Sequence, residues 1–149
     1  MSRASANTII EGRLYQRGHF LTWPAAQKQR LFRDIEATMV VNLWSKVDPD
    51  MSTDEQGRIY LCWLCSPSAV PEDADLMTRI VADLILSGHC ALIHCEAGRG
   101  RSVWFSARVM AAVMDMPGSE ALEEIKHLCP SYKLNPPLIT DLMEFKKAW

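Results

Sequence analysis

The stretch Ala91-Leu92-Ile93-His94-Cys95-Glu96-Ala97-Gly98-Arg99-Gly100-Arg101-Ser102, with Val103 to Met114 behind it, decides how this chain folds. Ala91 to His94 is short and apolar, as a central strand should be. Val103 to Met114 is apolar on nearly all sides, as a buried helix should be. Between them lies a loop with two glycines. Gly98 and Gly100 carry no Cβ, so the backbone can turn tightly there and come close to a ligand. A strand, a short loop and a helix N-terminus gather backbone N–H groups around one point, with the positive end of the helix behind them. The backbone from Glu96 to Arg101 is therefore expected to form an anion nest of phosphate size.

The side chains of the loop add chemistry to that nest. Arg101 is suited to clamp two phosphate oxygens at once. The same positive field favours the thiolate of Cys95, which would sit under a bound phosphate in line for attack and form a phosphocysteine. Ser102, at the start of the helix, can donate a hydrogen bond to the sulfur and help it leave when water attacks. His94 is expected to order the loop through backbone hydrogen bonds. A buried structural thiol beside a glycine turn would account for a lone cysteine, but not for the whole set in this strand–loop–helix setting.

Outward from the loop, short apolar runs alternate with amphipathic segments, the pattern of an α/β layer structure. Ile9 to Tyr15 reads as a first strand or hairpin, Met39 to Trp44 as a buried strand, and Ile59 to Cys65 as another, entered from the polar turn Ser52 to Gly57. Thr22 is expected to cap a helix with Pro24 in its first turn and Leu31, Phe32 and Ile35 on its inner face. Leu76, Met77, Ile80, Val81, Leu84 and Ile85 recur at helical spacing, and Gly88 ends that helix. Gly118 or Ser119 opens a helix that stops before Pro130. Asn135-Pro136 opens the last one, with Leu138, Leu142, Phe145 and Trp149 along one stripe. The expected architecture is one α/β domain over residues 1–149, with a central, mainly parallel sheet flanked by helices and the site at a strand C-terminal end.

Composition limits the function classes. With 149 residues, 48% hydrophobic and 23% charged, the chain can bury a core and does not read as disordered. A net charge of −2 argues against binding nucleic acid by bulk electrostatics. No apolar run approaches the roughly 20 residues of a bilayer span. Met1 to Asn7 has one arginine and no apolar core behind it, unlike a secretory signal. The expectation is a cytoplasmic protein whose five cysteines, an odd number, remain thiols.

The spacing His94-Cys95, five residues, Arg101-Ser102 resembles the signature of the protein tyrosine and dual-specificity phosphatases. The resemblance covers most of the chain, since Gly12-Arg13-Leu14-Tyr15, Val40-Val41-Asn42-Leu43 and the Asn135-Pro136 helix also look like dual-specificity elements. The run Ala97-Gly98-Arg99-Gly100-Arg101 is similar to the branch that includes cell-cycle and phosphoinositide phosphatases. It implies hydrolysis of phosphomonoesters, phosphotyrosine foremost and also phosphoserine and phosphothreonine in proteins, without a metal or organic cofactor. Two alternatives stay open: a phosphoinositide or RNA 5′-phosphatase with the same loop, and a phosphate-binding module with weak or no turnover. The absence of a basic–aromatic stripe weighs against long nucleic acid, and the intact Cys95, Arg101 and Ser102 weigh against the module.

The resemblance fails at the general acid. The family protonates the leaving oxygen with an upstream Asp, and by the register of Tyr60 to Asp73 that position falls at or beside Pro67, where there is no acid. Glu72, Asp73 or Asp75 could swing in from the start of the next helix, although carboxylates there also serve the helix dipole. Asp48 or Asp50 could reach in from the preceding loop, although turn chemistry beside Pro49 explains them too. Otherwise the protein works without a strong acid and prefers good leaving groups.

Other residues carry less. Arg99 is placed to read a second phosphate or to pair with Glu96. Cys62 and Cys65 spell C-x-x-C, but on a strand they face opposite sides, so neither zinc nor a dithiol is favoured. Cys65 or Cys90 could reach Cys95 and form a protective disulfide. His19, His89 and His127 lack partners at useful spacing. The tryptophans read as core and rim packing, with Trp63 a candidate for the wall of the site.

Overall fold

In a computed structural model, residues 6–51, 54 and 56–149 are described. Met1 to Ser5, and Ser52, Thr53 and Glu55 of the expected polar turn, lie outside the described residues. Ten elements follow in order: β1 (Asn7–Ile10), β2 (Leu14–Arg17), α1 (Ala25–Asp34), β3 (Met39–Asn42), β4 (Ile59–Cys62), α2 (Ala74–Leu86), β5 (Ala91–His94), α3 (Arg101–Met114), α4 (Gly118–Leu128) and α5 (Pro136–Glu144). The five strands form one sheet in the order β1-β2-β5-β3-β4. β1 and β2 are an antiparallel hairpin at one edge, and every other pairing is parallel.

Register follows from the period of two along each strand. Leu14, Ala91 and Met39 lie side by side across β2, β5 and β3 and face the core shared with α3. One residue on, Tyr15, Leu92 and Val40 face the other way, onto Phe20, Leu31, Phe32 and Ile35. Helix α1 thus covers one face of the sheet, while α2 to α5 contribute to the core on the other. β5 sits between β2 and β3, with α1 linking β2 to β3 on one side and α2 linking β4 to β5 on the other. Beyond the carboxyl end of such a strand the connections part and leave a crevice, where open α/β sheets bind ligands.

Three local expectations are corrected. Thr22 does not cap α1; the cap position is Pro24, whose carbonyl accepts the N–H groups of Gln27 and Lys28, and no side chain caps this end. Leu76 and Ile80 do not line the inner face of α2; they are 59% and 38% exposed, and Ala74, Thr78 and Ala82 are buried there beside the expected Val81 and Ile85. The strands also end sooner than expected, at Asn42 and Cys62, although the N–H groups of Leu43 and Trp63 still donate to the carbonyls of His94 and Asn42. Among the described residues, no helix is long and apolar enough to cross a membrane.

Candidate active site

Asn42, His94 and Arg17 end three adjacent parallel strands at the same level, and the residue after His94 is Cys95. Cys95 is only 2% exposed. Its Sγ accepts the N–H of Gly98 at 3.3 Å and lies 3.2 Å from the hydroxyl of Ser102, in the first turn of α3. The amides of residues 96, 97, 99 and 100 donate to no hydrogen bond within the chain among the described residues, so they remain open to an anion above the sulfur. Gly98 has φ +74°, the left-handed conformation that lets the loop double back.

Three contacts hold the loop in that shape. Gly18, just past β2, packs its backbone against Glu96 and Ala97, and the N–H of His19 donates to the Glu96 carbonyl at 3.0 Å. Gln16 donates to the Gly98 carbonyl at 2.8 Å. On the far side, the N–H of Lys133 donates to the Arg99 carbonyl at 2.7 Å. Arg101 is aimed by two acceptors, the Cys65 carbonyl at 3.4 Å from Nη1 and Glu96 Oε1 at 3.8 Å from Nη2. Glu96 therefore pairs with Arg101 rather than with Arg99, whose side chain is exposed.

Several solved structures share this fold. Human DUSP28 superposes with a TM-score of 0.76 at 16% identity, over 97% of this chain and 94% of that one. DUSP15 gives 0.74 at 22% identity (96% and 88%), and PTPMT1 gives 0.75 at 17% (93% and 91%). The chain has the dual-specificity phosphatase fold. No protein-family model matches its sequence, and no curated protein does, so the likeness rests on three-dimensional form.

Within the dual-specificity fold, His94 ends β5 with its side chain buried. Its Nδ1 lies 3.2 Å from the Cys95 carbonyl, which places the proton on that nitrogen, and its ring packs on Phe20 with centroids 4.9 Å apart. Burial holds the imidazole well below its usual range, at about 4, so it is neutral near pH 7. An unfolded histidine titrates near 6.5, so the unfolded chain takes up a proton first as the pH falls. The contribution of a neutral His94 to stability is thus complete above about pH 6.5 and is lost on acidification toward about pH 4. Between pH 7 and pH 4.5 the chain should lose about 2–3 kcal/mol of stability through this residue. Urea unfolding at both pH values checks it: a His94→Gln variant should lose that much less than the wild type, and equal losses would contradict the assignment.

The carboxylates expected near the site separate into distinct settings. Asp48 is buried and bonded to the equally buried Lys28 at 2.9 Å, and it also accepts the N–H of Asp50 at 3.0 Å. Asp50 shares the same ammonium at 2.9 Å. Burial alone would pull Lys28 down, but its hydrogen bonds to Asp50 and Asp48 more than offset that and leave it raised. Both residues therefore hold the loop after β3 against α1. Asp75 is spent on Arg108 at 2.9 Å, and Glu72 is exposed. Asp73 is different: it stands at the start of α2 and its carboxylate accepts the indole N–H of Trp63 at 3.0 Å. Burial pushes the Cys65 thiol up to about 12, with Asp73 and Cys95 adding to the rise and Arg101 opposing it. Asp73, Arg101 and Cys95 all lie near enough to Cys65 to act on its thiol, and Arg101 also donates to its carbonyl. The Pro67 segment, where an acid was expected, is tied to α5 through a hydrogen bond from the Asn135 side chain to the Pro67 carbonyl.

The cysteines sort in the same way. Cys62, the last residue of β4, is exposed, and Cys65, three residues past the end of the strand, is buried, so the two do not form a pair. Cys90 precedes β5 whereas Cys95 follows it, and five residues of strand span about 16 Å, beyond the reach of a disulfide. Cys90 is therefore corrected from the candidates for a bond to Cys95. Gln16 was missed by sequence reasoning, although it is fully buried. Its signal was a polar residue on the same sheet face as Val41 and Ile93, where the pattern calls for an apolar one.

Proposed function

We propose that this chain, acting as one catalytic domain, hydrolyses phosphomonoesters through a phosphocysteine on Cys95, with phosphotyrosine in cytoplasmic proteins as the main substrate. The observation that carries this is the setting of one sulfur atom: Cys95 Sγ is buried under a ring of open amides, hydrogen-bonded by Gly98 and beside Ser102, with Arg101 aimed over the same loop. The thiolate attacks phosphorus, the S–P bond forms, and the P–O bond to the leaving group breaks as that oxygen takes a proton. Water then attacks phosphorus, the S–P bond breaks, and inorganic phosphate departs from a restored thiolate. Arg101 and the amides of residues 96, 97, 99 and 100 hold the equatorial oxygens in both steps. Acid quenching during turnover of p-nitrophenyl phosphate, followed by peptide mass spectrometry, tests the reading. A phosphate on Cys95 is expected, and turnover with phosphate on any other residue would overturn it.

The substrate class follows from the acid. A phenolic oxygen leaves with a pKa of about 10, and an alkyl hydroxyl is far more basic. General acid catalysis is worth about 10²–10⁴-fold. With no carboxylate at position 67, phosphotyrosine peptides should be turned over about 10²-fold faster than matched phosphothreonine peptides. Equal kcat/KM for the two would show that another group, Asp73 foremost, supplies the proton.

A second reading is favoured by Arg99, which is exposed at the mouth with its carbonyl held by Lys133. One of the similar structures is PTPMT1 in complex with PI(5)P. A phosphoinositide would place a further phosphate against such a cation. Arg99→Ala should then slow phosphoinositide hydrolysis and leave p-nitrophenyl phosphate untouched, whereas an equal loss on both would count against it.

A further inference from the structure

We infer that Gln16 is a positioning residue that fixes the direction of the Ser102 hydroxyl, so that its only proton points at the Cys95 sulfur. The orientation of the Gln16 amide is set by its neighbours. Its nitrogen donates to the Gly98 carbonyl at 2.8 Å, which can only accept, and to Ser102 Oγ at 2.7 Å. Its oxygen accepts from Asn7 Nδ2 at 2.9 Å and from the Cys129 thiol at 3.3 Å. Burial pushes that thiol up to about 12, so it stays an S–H donor.

A serine hydroxyl has one proton and two lone pairs. Because Gln16 donates to it, Ser102 must send its own proton elsewhere. Two acceptors lie within reach: Cys95 Sγ at 3.2 Å and the Arg17 carbonyl at 3.5 Å. Sulfur is the larger atom and is also the closer, so the bond to sulfur is the stronger. The hydroxyl then supports the thiolate as nucleophile and again as leaving group. Gln16 touches neither substrate nor the Cys95 sulfur; it acts through Ser102, and the loop whose Gly98 carbonyl it also meets keeps its braces at Gly18, His19 and Lys133 without it.

The inference rests on the phosphocysteine reading for its kinetic consequence, and its test has one arm independent of turnover. The proteins are wild type, Gln16→Met, Ser102→Ala and the double variant. Stopped-flow release of p-nitrophenol separates the two chemical steps. In Gln16→Met, hydrolysis of the intermediate should slow by about tenfold or more, so that kcat falls further than kcat/KM, KM falls with it, and a burst approaches one equivalent per protein. The double variant should match Ser102→Ala, because a residue acting only through Ser102 has nothing further to remove. Loss of kcat/KM without a burst, or effects that multiply in the double variant, would overturn the inference.

The independent arm is the rate of iodoacetamide alkylation at Cys95 near pH 6, located by peptide mass spectrometry. It should fall about five- to tenfold in each single variant and no further in the pair. If the wild type has no turnover at all, the phosphatase reading fails while this arm still decides on Gln16. Unchanged alkylation in Gln16→Met, with thermal unfolding confirming a folded protein, would reject it.

Discussion

Cys95→Ser is expected to lower turnover of p-nitrophenyl phosphate by roughly 10⁴-fold or more while phosphate binding persists. The substitution keeps the shape of the site. A serine oxygen can still accept the N–H of Gly98 and meet the hydroxyl of Ser102, so the ring of amides and Arg101 remain as they are. What is lost is the nucleophile, since a hydroxyl stays protonated where a thiol gives up its proton and carries no comparable reactivity. Steady-state rates together with calorimetric titration of inorganic phosphate separate the two effects. Persisting activity in the serine variant would place the chemistry elsewhere. Loss of phosphate binding would show that the sulfur holds the loop open as well as attacking.

Gly98→Ala should be the most damaging change that removes no functional group. At φ +74° a side chain is strained, which costs about 1–2 kcal/mol. The added Cβ would also fall 2.3 Å from the Gly18 nitrogen and 2.7 Å from its Cα, backbone atoms that cannot step aside alone. The loop must lift from the segment after β2, which strains the bond from His19 to Glu96 and the bond from Gln16 to Gly98. A displacement of about 1 Å at a reacting group costs on the order of 10²-fold in rate. The expected result is a fall in kcat/KM of about 10²–10³-fold and a loss of about 2–4 kcal/mol in stability. Gly12→Ala is the control: its φ is +76°, but nothing lies within 4 Å of the new Cβ. It should cost only the strain and leave the rate unchanged. Equal effects at both positions would mean that conformation, not the contact with Gly18, governs the loop.

The sequence exposed those parts whose causes are local. Strand, loop and helix are contiguous from Ala91 to Met114, so the nest, the sulfur and the arginine could be placed before any tertiary contact was known. Gln16 could not, because its bonds to Gly98 and Ser102 join residues 82 and 86 positions apart. Asp48 was ambiguous for the same reason: its partner Lys28 sits on α1, whose sequence gives no sign that a lysine would be buried there. The inner face of α2 was misread because large apolar residues outscore small ones in a periodic pattern. Against α3 the close approach favours Ala74, Thr78 and Ala82, and Leu76 and Ile80 are left outside. Thr22 looked like a cap by residue type, but the turn that joins the Trp23 N–H to the Phe20 carbonyl delays the helix to Ala25.

The contacts of the loop with Gln16, Gly18 and Lys133 also bear on how the protein is made. The loop is synthesised after the hairpin that braces one side of it and well before Lys133, which braces the other. Contacts so distant along the chain close slowly, and domains form as units during synthesis. A nascent chain that stops short of Lys133 has its cysteine but no fixed cradle around it. Such a fragment is a thiol without its full pocket, and the brace on the far side of the loop arrives only once Lys133 has been added.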